Sequence, residues 1–259
     1  MRTGATSGAN GPSSSRQVLR WGSPANYVTR VRFILSGTTT KISDCVFPDD
    51  LLYEPEGLTW AREDGREVVV GITAIQAAVA GKLTKATARP VRAEYARNRV
   101  IGAIESGRYF GTVKTPIGGV LVAINETALE KPKLLSESPY RDGWFARVQA
   151  TNWAADREAV FPIDRAKAFL EKQVEALHVR CFAAFPDYDL FEIGTECAAV
   201  LVKLNELMSR MEVGEVVHIV SDDWTAPMEM DRWSTENGQP VVDSRKEGNL
   251  YHFLVRKTR

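Results

Sequence analysis

The stretch "IESGRYFGTVKTPIGG", residues Ile104 to Gly119, decides how the first half of the chain folds. It contains four glycines, and strand-like runs stand on both sides of its centre, "VIGAIES" before it and "GVLVAIN" after it. Glycines and polar residues that divide two such runs are typical of a β-hairpin. The stretch therefore predicts a hairpin whose tip presents Arg108, Tyr109 and Phe110.

Short apolar segments continue on both sides of this hairpin, from Phe47 to Ala150, and they indicate a β-rich unit. After Trp153 the run "DRAKAFLEKQVEALH" places apolar residues at helical spacing, and from Val179 the order of segments is βαβαββ. We predict an α+β chain in which a β-rich domain precedes a small two-layer α/β sandwich. Its parts are a disordered tail (1–20), an extended N-terminal arm (21–46), a β-rich domain (47–153), a helical linker (154–178) and an α/β domain (179–259).

The charge balance and the cysteines limit the possible partners and compartments. Lys+Arg and Asp+Glu both total 33, so no net field favours nucleic acid or acidic membranes, and no apolar run approaches the roughly 18 residues of a membrane span. Cys45, Cys181 and Cys197 are odd in number and scattered, which favours a reducing compartment over a disulfide framework. We expect a cytoplasmic protein that binds neither nucleic acid nor membranes, although the Ser- and Arg-rich start also fits a transit peptide.

Three segments of the β-rich domain carry a resemblance to a known family: "FPDDLLYEPEGLTWAREDGREVVVGIT", "ESGRYFGTVKTPIGGVLVAIN" and "NETALEKPKLLSESPYRDGWFARVQATNW". Together they resemble the H-protein of the glycine cleavage system. The resemblance implies a hammerhead fold of the lipoyl/biotinyl type, with lipoate carried on a lysine at the hairpin tip. In this chain Arg108 occupies that position, and a guanidinium does not deprotonate to be acylated.

The hairpin therefore has three remaining interpretations. Lys114 could accept lipoate instead, but it lies past the tip on the returning strand, where a solvated surface lysine is the simpler reading. We expect no lipoate. Arg108, Tyr109 and Phe110 are residue types enriched where proteins bind one another, so they are candidates for partner docking. The alternative is that Tyr109 and Phe110 pack beneath the hairpin.

The C-terminal unit resembles the TusA-type sulfur carriers through "EIGTECAAVLVKLNELMSRMEVGEVVHIVSDD" and the final "LYHFLVRK". In this register Cys197 falls on the family's sulfur-accepting cysteine, three residues after Gly194. Its predicted place at the start of a helix, where free N–H groups favour a thiolate, supports the same chemistry. Ala198 and Val200 replace the two prolines of the family, and Glu196 opposes ionisation of the thiol.

The other polar residues receive structural interpretations. Cys45 and Cys181 are assigned no chemistry, and Cys181 could resolve a disulfide only if it lay near Cys197. Asp222 and Asp223 are expected to cap the second helix of the α/β domain. The histidines have no metal or triad spacing and are assigned structural roles: His178, His218 and His252.

These features predict a sulfur relay without a metal or an organic cofactor. Cys197 would accept sulfane sulfur as a persulfide from a donor protein and pass it to an acceptor. The front domain would recruit a lipoate-handling or sulfur-oxidising enzyme. One alternative is a scaffold in which both domains have lost their carried group. Another is a true lipoyl carrier that uses Lys114.

Overall fold

The computed structural model describes residues 37–54, 56 and 58–259. The tail predicted over residues 1–20, and the part of the predicted arm that precedes residue 37, lie outside the described residues. The rest of that arm, up to residue 46, forms strand β1 and the start of strand β2, which pair as an antiparallel hairpin.

The first domain is built mainly of antiparallel strands. They are β1 (Thr39–Ile42), β2 (Cys45–Pro48), β3 (Leu52–Glu54), β4 (Thr59–Asp64), β5 (Glu67–Ile72), β6 (Leu83–Ala88), β7 (Glu94–Tyr95), β8 (Val100–Ser106), β9 (Phe110–Lys114), β10 (Gly119–Ile124), β11 (Ala146–Ala150) and β12 (Phe161–Pro162). The helices are α1 (Ala74–Ala80), α2 (Glu126–Glu130), α3 (Lys133–Glu137), α4 (Trp153–Asp156) and α5 (Ile163–Ala176), with a 3₁₀ turn at Arg157–Ala159.

Two sheets enclose the larger core of this domain. Strands β12-β3-β4-β5-β11-β10-β7 form one sheet, and β6-β8-β9 form the other. Valines and isoleucines that alternate along the strands fill the space between the sheets, as period-2 patterning requires. Gly102 of β8 allows a close approach, because a Cβ there would overlap the ring of Phe145 and the carbonyl oxygen of Thr87.

The hairpin predicted from Ile104–Gly119 is present. Strand β8 pairs with β9 so that Glu105 lies opposite Phe110, and the backbone N–H of Ser106 donates to the carbonyl oxygen of Tyr109 over 2.8 Å. The tip is therefore the three residues from Gly107 to Tyr109, with Arg108 at its centre.

Helix α5 belongs to the packing of the first domain. Its buried positions Ile163, Ala166, Leu170 and Val174 join a second core. That core also contains the fully buried Trp60. Because β12, immediately before α5, pairs with β3, the segment expected to be a linker closes this side of the domain.

The second domain has the predicted order βαβαββ. Its elements are β13 (Tyr188–Glu192), α6 (Cys197–Arg210), β14 (Val216–Ser221), α7 (Ala226–Asn237), β15 (Val241–Glu247) and β16 (Leu250–Arg256). The sheet order is β13-β14-β16-β15, with β13 and β14 parallel. Both helices cover the same face of the sheet, where they enclose one apolar core. The result is the expected two-layer sandwich.

A disulfide joins the first domain to the segment that leads into the second. Cys45 at the start of β2 is bonded to Cys181, which is 136 positions away in sequence. The expectation that the cysteines form no disulfide is therefore wrong. Spacing could not reveal this pair, because the fold alone brings β2 beside the segment that follows α5. Cys181 is consequently not a resolving thiol for Cys197.

Ion pairs also cross between the two domains. Lys82 Nζ lies 2.7 Å from Glu215 Oε1, and Lys133 Nζ lies 2.8 Å from Oδ1 of Asp187. The Asp187 side chain is fully buried, and its second oxygen accepts a hydrogen bond from the backbone N–H of Val216. A buried carboxylate must be paired to avoid a large desolvation penalty, and Lys133 is the nearer of two cations at Asp187, since Lys82 Nζ lies 3.9 Å from the same oxygen.

Candidate functional site

The tip of the β8–β9 hairpin is held against the second domain. Arg108 Nη1 lies 3.1 Å from Asp189 Oδ2 on β13, and the guanidinium also lies above Gly81. Ser106 fixes the base of the tip by donating its hydroxyl to the carbonyl oxygen of Ala80 over 2.7 Å. The position predicted for a lipoyl lysine therefore carries a cation that binds a carboxylate of the same chain.

The other hairpin candidates have different surroundings. Tyr109 is half-buried, and its ring covers Gly111 and packs against the larger core. Phe110 is 71% exposed. Lys114 is an exposed residue at the end of strand β9, opposite Val100, and not part of the tip. Of the three docking candidates, Phe110 presents the largest free apolar surface, while Tyr109 takes the alternative role of packing beneath the hairpin.

Cys197 is the first residue of α6 and lies at the bottom of a surface depression. The chain enters the helix through Gly194, whose φ of 71° places it in the left-handed region that glycine adopts without strain. Gly194, Thr195, Trp224 and Thr225 line an open depression of about 680 Å³ together with Cys197. Only 3% of Cys197 is exposed, and the residue contributes to the core beneath the helices.

The backbone N–H of Cys197, which was expected to stabilise a thiolate, already donates a hydrogen bond to Asp223. Its Oδ2 accepts a hydrogen bond of 2.7 Å from the backbone N–H of Cys197, and its Oδ1 accepts from the N–H of Thr225. These hydrogen bonds, led by the one from Thr225, hold the pKa of Asp223 below its ordinary value, so the carboxylate is ionised at neutral pH. The positive end of α6 is therefore already neutralised by a side chain from the β14–α7 loop.

The thiol of Cys197 is consequently protonated at neutral pH. Burial, followed by the negative charges of Asp223 and Glu229, raises the pKa of Cys197 to about 11. Arg232 acts in the opposite direction, but it forms an ion pair with Glu229. The expectation that the start of this helix favours a thiolate is wrong, because the sulfur is buried and the N–H of Cys197 is already bound by Asp223.

The acidic pair has a different role from the one expected. Asp222 Oδ1 accepts a 2.7 Å hydrogen bond from the N–H of Gly194, and Asp223 reaches Cys197 as described. Both carboxylates therefore bind the loop that enters α6, although Asp223 also holds Thr225 at the start of α7. Together they fix the two loops that form the rim of the depression.

Comparisons with known proteins agree with this arrangement of two carrier-type folds. The family profile described as "Glycine cleavage H-protein" matches residues 51–173. A glycine cleavage system H protein 2 of Aquifex aeolicus is 34% identical over 139 residues, which are 53% of this chain and 86% of the relative. The chain belongs to the glycine cleavage H-protein family.

Other relatives cover the same H-protein domain. Glycine cleavage system H protein 5 of Aquifex aeolicus is 29% identical over 145 residues, which are 54% of this chain and 98% of that protein. A solved glycine cleavage system H protein from Mycobacterium marinum is 26% identical to this chain. The match covers 40% of this chain and 87% of the solved chain, with a TM-score of 0.38. The profile "Sulfurtransferase TusA" matches residues 192–257. The chain is thus a fusion of an H-protein domain with a TusA domain.

The two histidines of the TusA domain form a buried cluster on the face of the sheet opposite the helices. The ring nitrogens of His218 and His252 lie 2.9 Å apart, and His218 Nδ1 lies 3.0 Å from Asp189 Oδ1. Phe182 covers His218 with ring centroids 4.5 Å apart. Both rings are nearly inaccessible. Nε2 of His252 has no hydrogen-bond partner, and Glu247 Oε2 lies 3.7 Å from it. Within the described part of the chain, no group of three or more potential ligands could hold a metal ion.

Sequence reasoning missed the residues that join the two domains. Asp187, Asp189 and Glu215 of the second domain meet Lys133, Arg108 and Lys82 of the first, respectively. No local pattern marks these residues, because the two members of each ion pair are much farther apart in the sequence than the length of any motif. Among residues 37–54, 56 and 58–259, no helix has both the length and the apolar character needed to cross a bilayer.

Proposed function

We propose that the chain is a sulfur carrier in which Cys197 accepts sulfane sulfur and passes it to a cysteine of a partner protein. The observation that carries this proposal is the position of Cys197 as the first residue of α6, at the bottom of an open depression in the TusA domain. The exposed indole of Trp224, 75% accessible on the rim, offers a partner the kind of anchor that protein interfaces favour.

The transfer step needs the thiolate form of Cys197. The thiolate attacks the outer sulfur of a donor persulfide, a new S–S bond forms at Cys197, and the donor's S–S bond breaks to release a thiol. Because the resting thiol is buried and its pKa is about 11, the carrier reacts slowly until the rim opens. Docking of a partner over Trp224 exposes the sulfur and changes the electrostatic potential at the thiol.

We propose that the H-protein domain carries no lipoate. The supporting observation is that Arg108, an arginine paired to Asp189, occupies the tip, while Lys114 is a strand residue. The domain instead contacts the TusA domain through Arg108 and binds a further protein through the exposed Phe110. Lipoate-handling and sulfur-oxidising enzymes are the partner classes that suit this pair of domains.

A scaffold function is the second candidate, and the burial of Cys197 favours it. A cysteine that is 3% exposed and protonated can be a small apolar core residue. The chain would then hold two partners together without accepting sulfur.

Intact mass spectrometry after incubation with a persulfide donor distinguishes the two functions. Wild-type protein should gain the mass of sulfur, and Cys197→Ser should gain none. The double variant Cys45→Ser/Cys181→Ser is the matched control, since it retains Cys197 as its single thiol and should still gain sulfur. A folded double variant that takes up no sulfur favours the scaffold.

A further inference from the structure

A cavity lies between the H-protein domain and the segment that leads into the TusA domain. Its volume is about 590 Å³, and both domains contribute to its walls. Pro48 and Ala77 of the first domain line it together with Cys181, Phe182 and Phe185 of the connecting segment. The cavity is thus separate from the depression at Cys197, and one of its walls contains Cys181, one half of the disulfide.

The two halves of this disulfide differ in access. Cys45 is fully buried among the apolar side chains of the second core, whereas Cys181 is half-buried and lines the cavity. A nucleophile that enters the cavity therefore reaches Cys181 before Cys45. Attack there displaces Cys45, which β2 continues to hold beside the reaction site.

This placement selects a dithiol over a monothiol. A monothiol forms a mixed disulfide with Cys181, but the adjacent Cys45 thiol reverses the step at high effective concentration. A dithiol has a second sulfhydryl that attacks its own bound sulfur and releases Cys181. The net reaction converts the protein disulfide into two thiols and the dithiol into a cyclic disulfide, so electrons and protons balance.

The charges around the cavity favour an anion. Arg141 and Arg256 line it, are exposed, and have no ion-pair partner among the residues that the structure describes. The acidic lining residues Asp44 and Glu137 are each paired with a basic side chain, as Arg180 is with an acidic one. The uncompensated charge at this site is therefore positive.

We propose that the Cys45–Cys181 disulfide is a thiol–disulfide exchange site for an anionic dithiol that binds in this interdomain cavity. Reduction would release the covalent clamp between the domains, because the segment around Cys181 would then be held by contacts such as that of Phe182 on His218. This inference uses a different site from Cys197 and does not depend on sulfur carriage.

The test compares two dithiols that differ only in the charge of their tails, dihydrolipoate and dihydrolipoamide. Protein purified in air should have one titratable thiol, from Cys197, under denaturing conditions. The reduction of the native protein is monitored over time by alkylating the free thiols and measuring the mass of the protein. We expect dihydrolipoate to reduce the disulfide about three- to tenfold faster at low salt, with the difference disappearing at high salt.

Variants of the full chain distinguish binding of the anion in the cavity from a general effect of the protein's charge on the reduction rate. Arg141→Gln/Arg256→Gln should lose the preference for dihydrolipoate. The control Arg66→Gln/Arg210→Gln removes the same charge from residues that do not line the cavity and should keep the preference. Equal rates for the two dithiols with wild-type protein, reduction only in denaturant, or three free thiols in air-purified protein would each overturn the proposal.

Discussion

Replacement of Asp223 by asparagine should make Cys197 more reactive. The carboxylate of Asp223 accepts the N–H of Cys197 at 2.7 Å and raises the pKa of the thiol together with burial and Glu229. Asparagine removes the negative charge but keeps an oxygen that can accept one hydrogen bond. Because burial is the largest cause and remains, the pKa of Cys197 should fall from about 11 by about one pH unit.

The expected change in rate follows from the fraction of thiolate. At pH 8 a thiol with a pKa of about 11 is ionised in about one molecule in a thousand, and a pKa lower by one raises this fraction about tenfold. Since a less basic thiolate is a weaker nucleophile, with a Brønsted coefficient of about 0.4–0.5, the observed rate should rise about three- to fourfold.

The assay is the rate of alkylation of folded protein as a function of pH. The wild-type rate should increase about tenfold per pH unit from 7 to 10 without a plateau, because this range lies below the pKa of about 11. In Asp223→Asn the curve should shift to lower pH. The control Asp231→Asn changes the same charge on an exposed residue of α7 and should leave the curve in place.

An unchanged curve in Asp223→Asn would refute the electrostatic reasoning. Cys197 would then be protected by burial alone, and its reactivity would report opening of the helix start. Circular dichroism and thermal unfolding of the variant show whether the fold is intact before the rates are compared.

Three further predictions concern the hairpin and the interface, and urea denaturation checks all of them. Lys133→Met leaves the buried Asp187 without its nearest cation and should destabilise the protein by about 3 kcal/mol; a loss below 1 kcal/mol would show that another group compensates. Gly102→Ala forces a methyl group into the ring of Phe145 and should cost about 1–3 kcal/mol, so an unchanged midpoint would contradict the close packing. Arg108→Ala removes a solvent-exposed ion pair and should cost less than about 1 kcal/mol, and a larger loss would mean that the hairpin tip carries much of the interface.

The fold could be predicted because local patterns and family motifs agree along the chain. Glycines between apolar runs located the β8–β9 hairpin, and helical spacing located α5 and α6. The segment of α5 was expected to link the domains because its apolar stripe does not say which surface it covers. Only the pairing of β12 with β3 places the helix on the first domain.

The position of Cys197 could be predicted, but its environment could not. The residue that controls its helix end, Asp223, follows it by 26 positions and reaches it only because α6 and α7 start at the same edge of the sheet. The Cys45–Cys181 disulfide is a similar case, since the two cysteines are 136 positions apart. Electrostatic and covalent contacts between distant segments depend on the folded arrangement.

The most direct test of sulfur carriage by this chain is the location of bound sulfur after exposure to a persulfide donor. Wild-type protein is labelled, digested without reductant, and fragmented by mass spectrometry. The added sulfur is predicted on the peptide that contains Cys197, and its amount should grow in Asp223→Asn in parallel with the alkylation rate. Sulfur found only on Cys45 or Cys181, or none on Cys197 in either protein, would contradict sulfur carriage by the TusA domain.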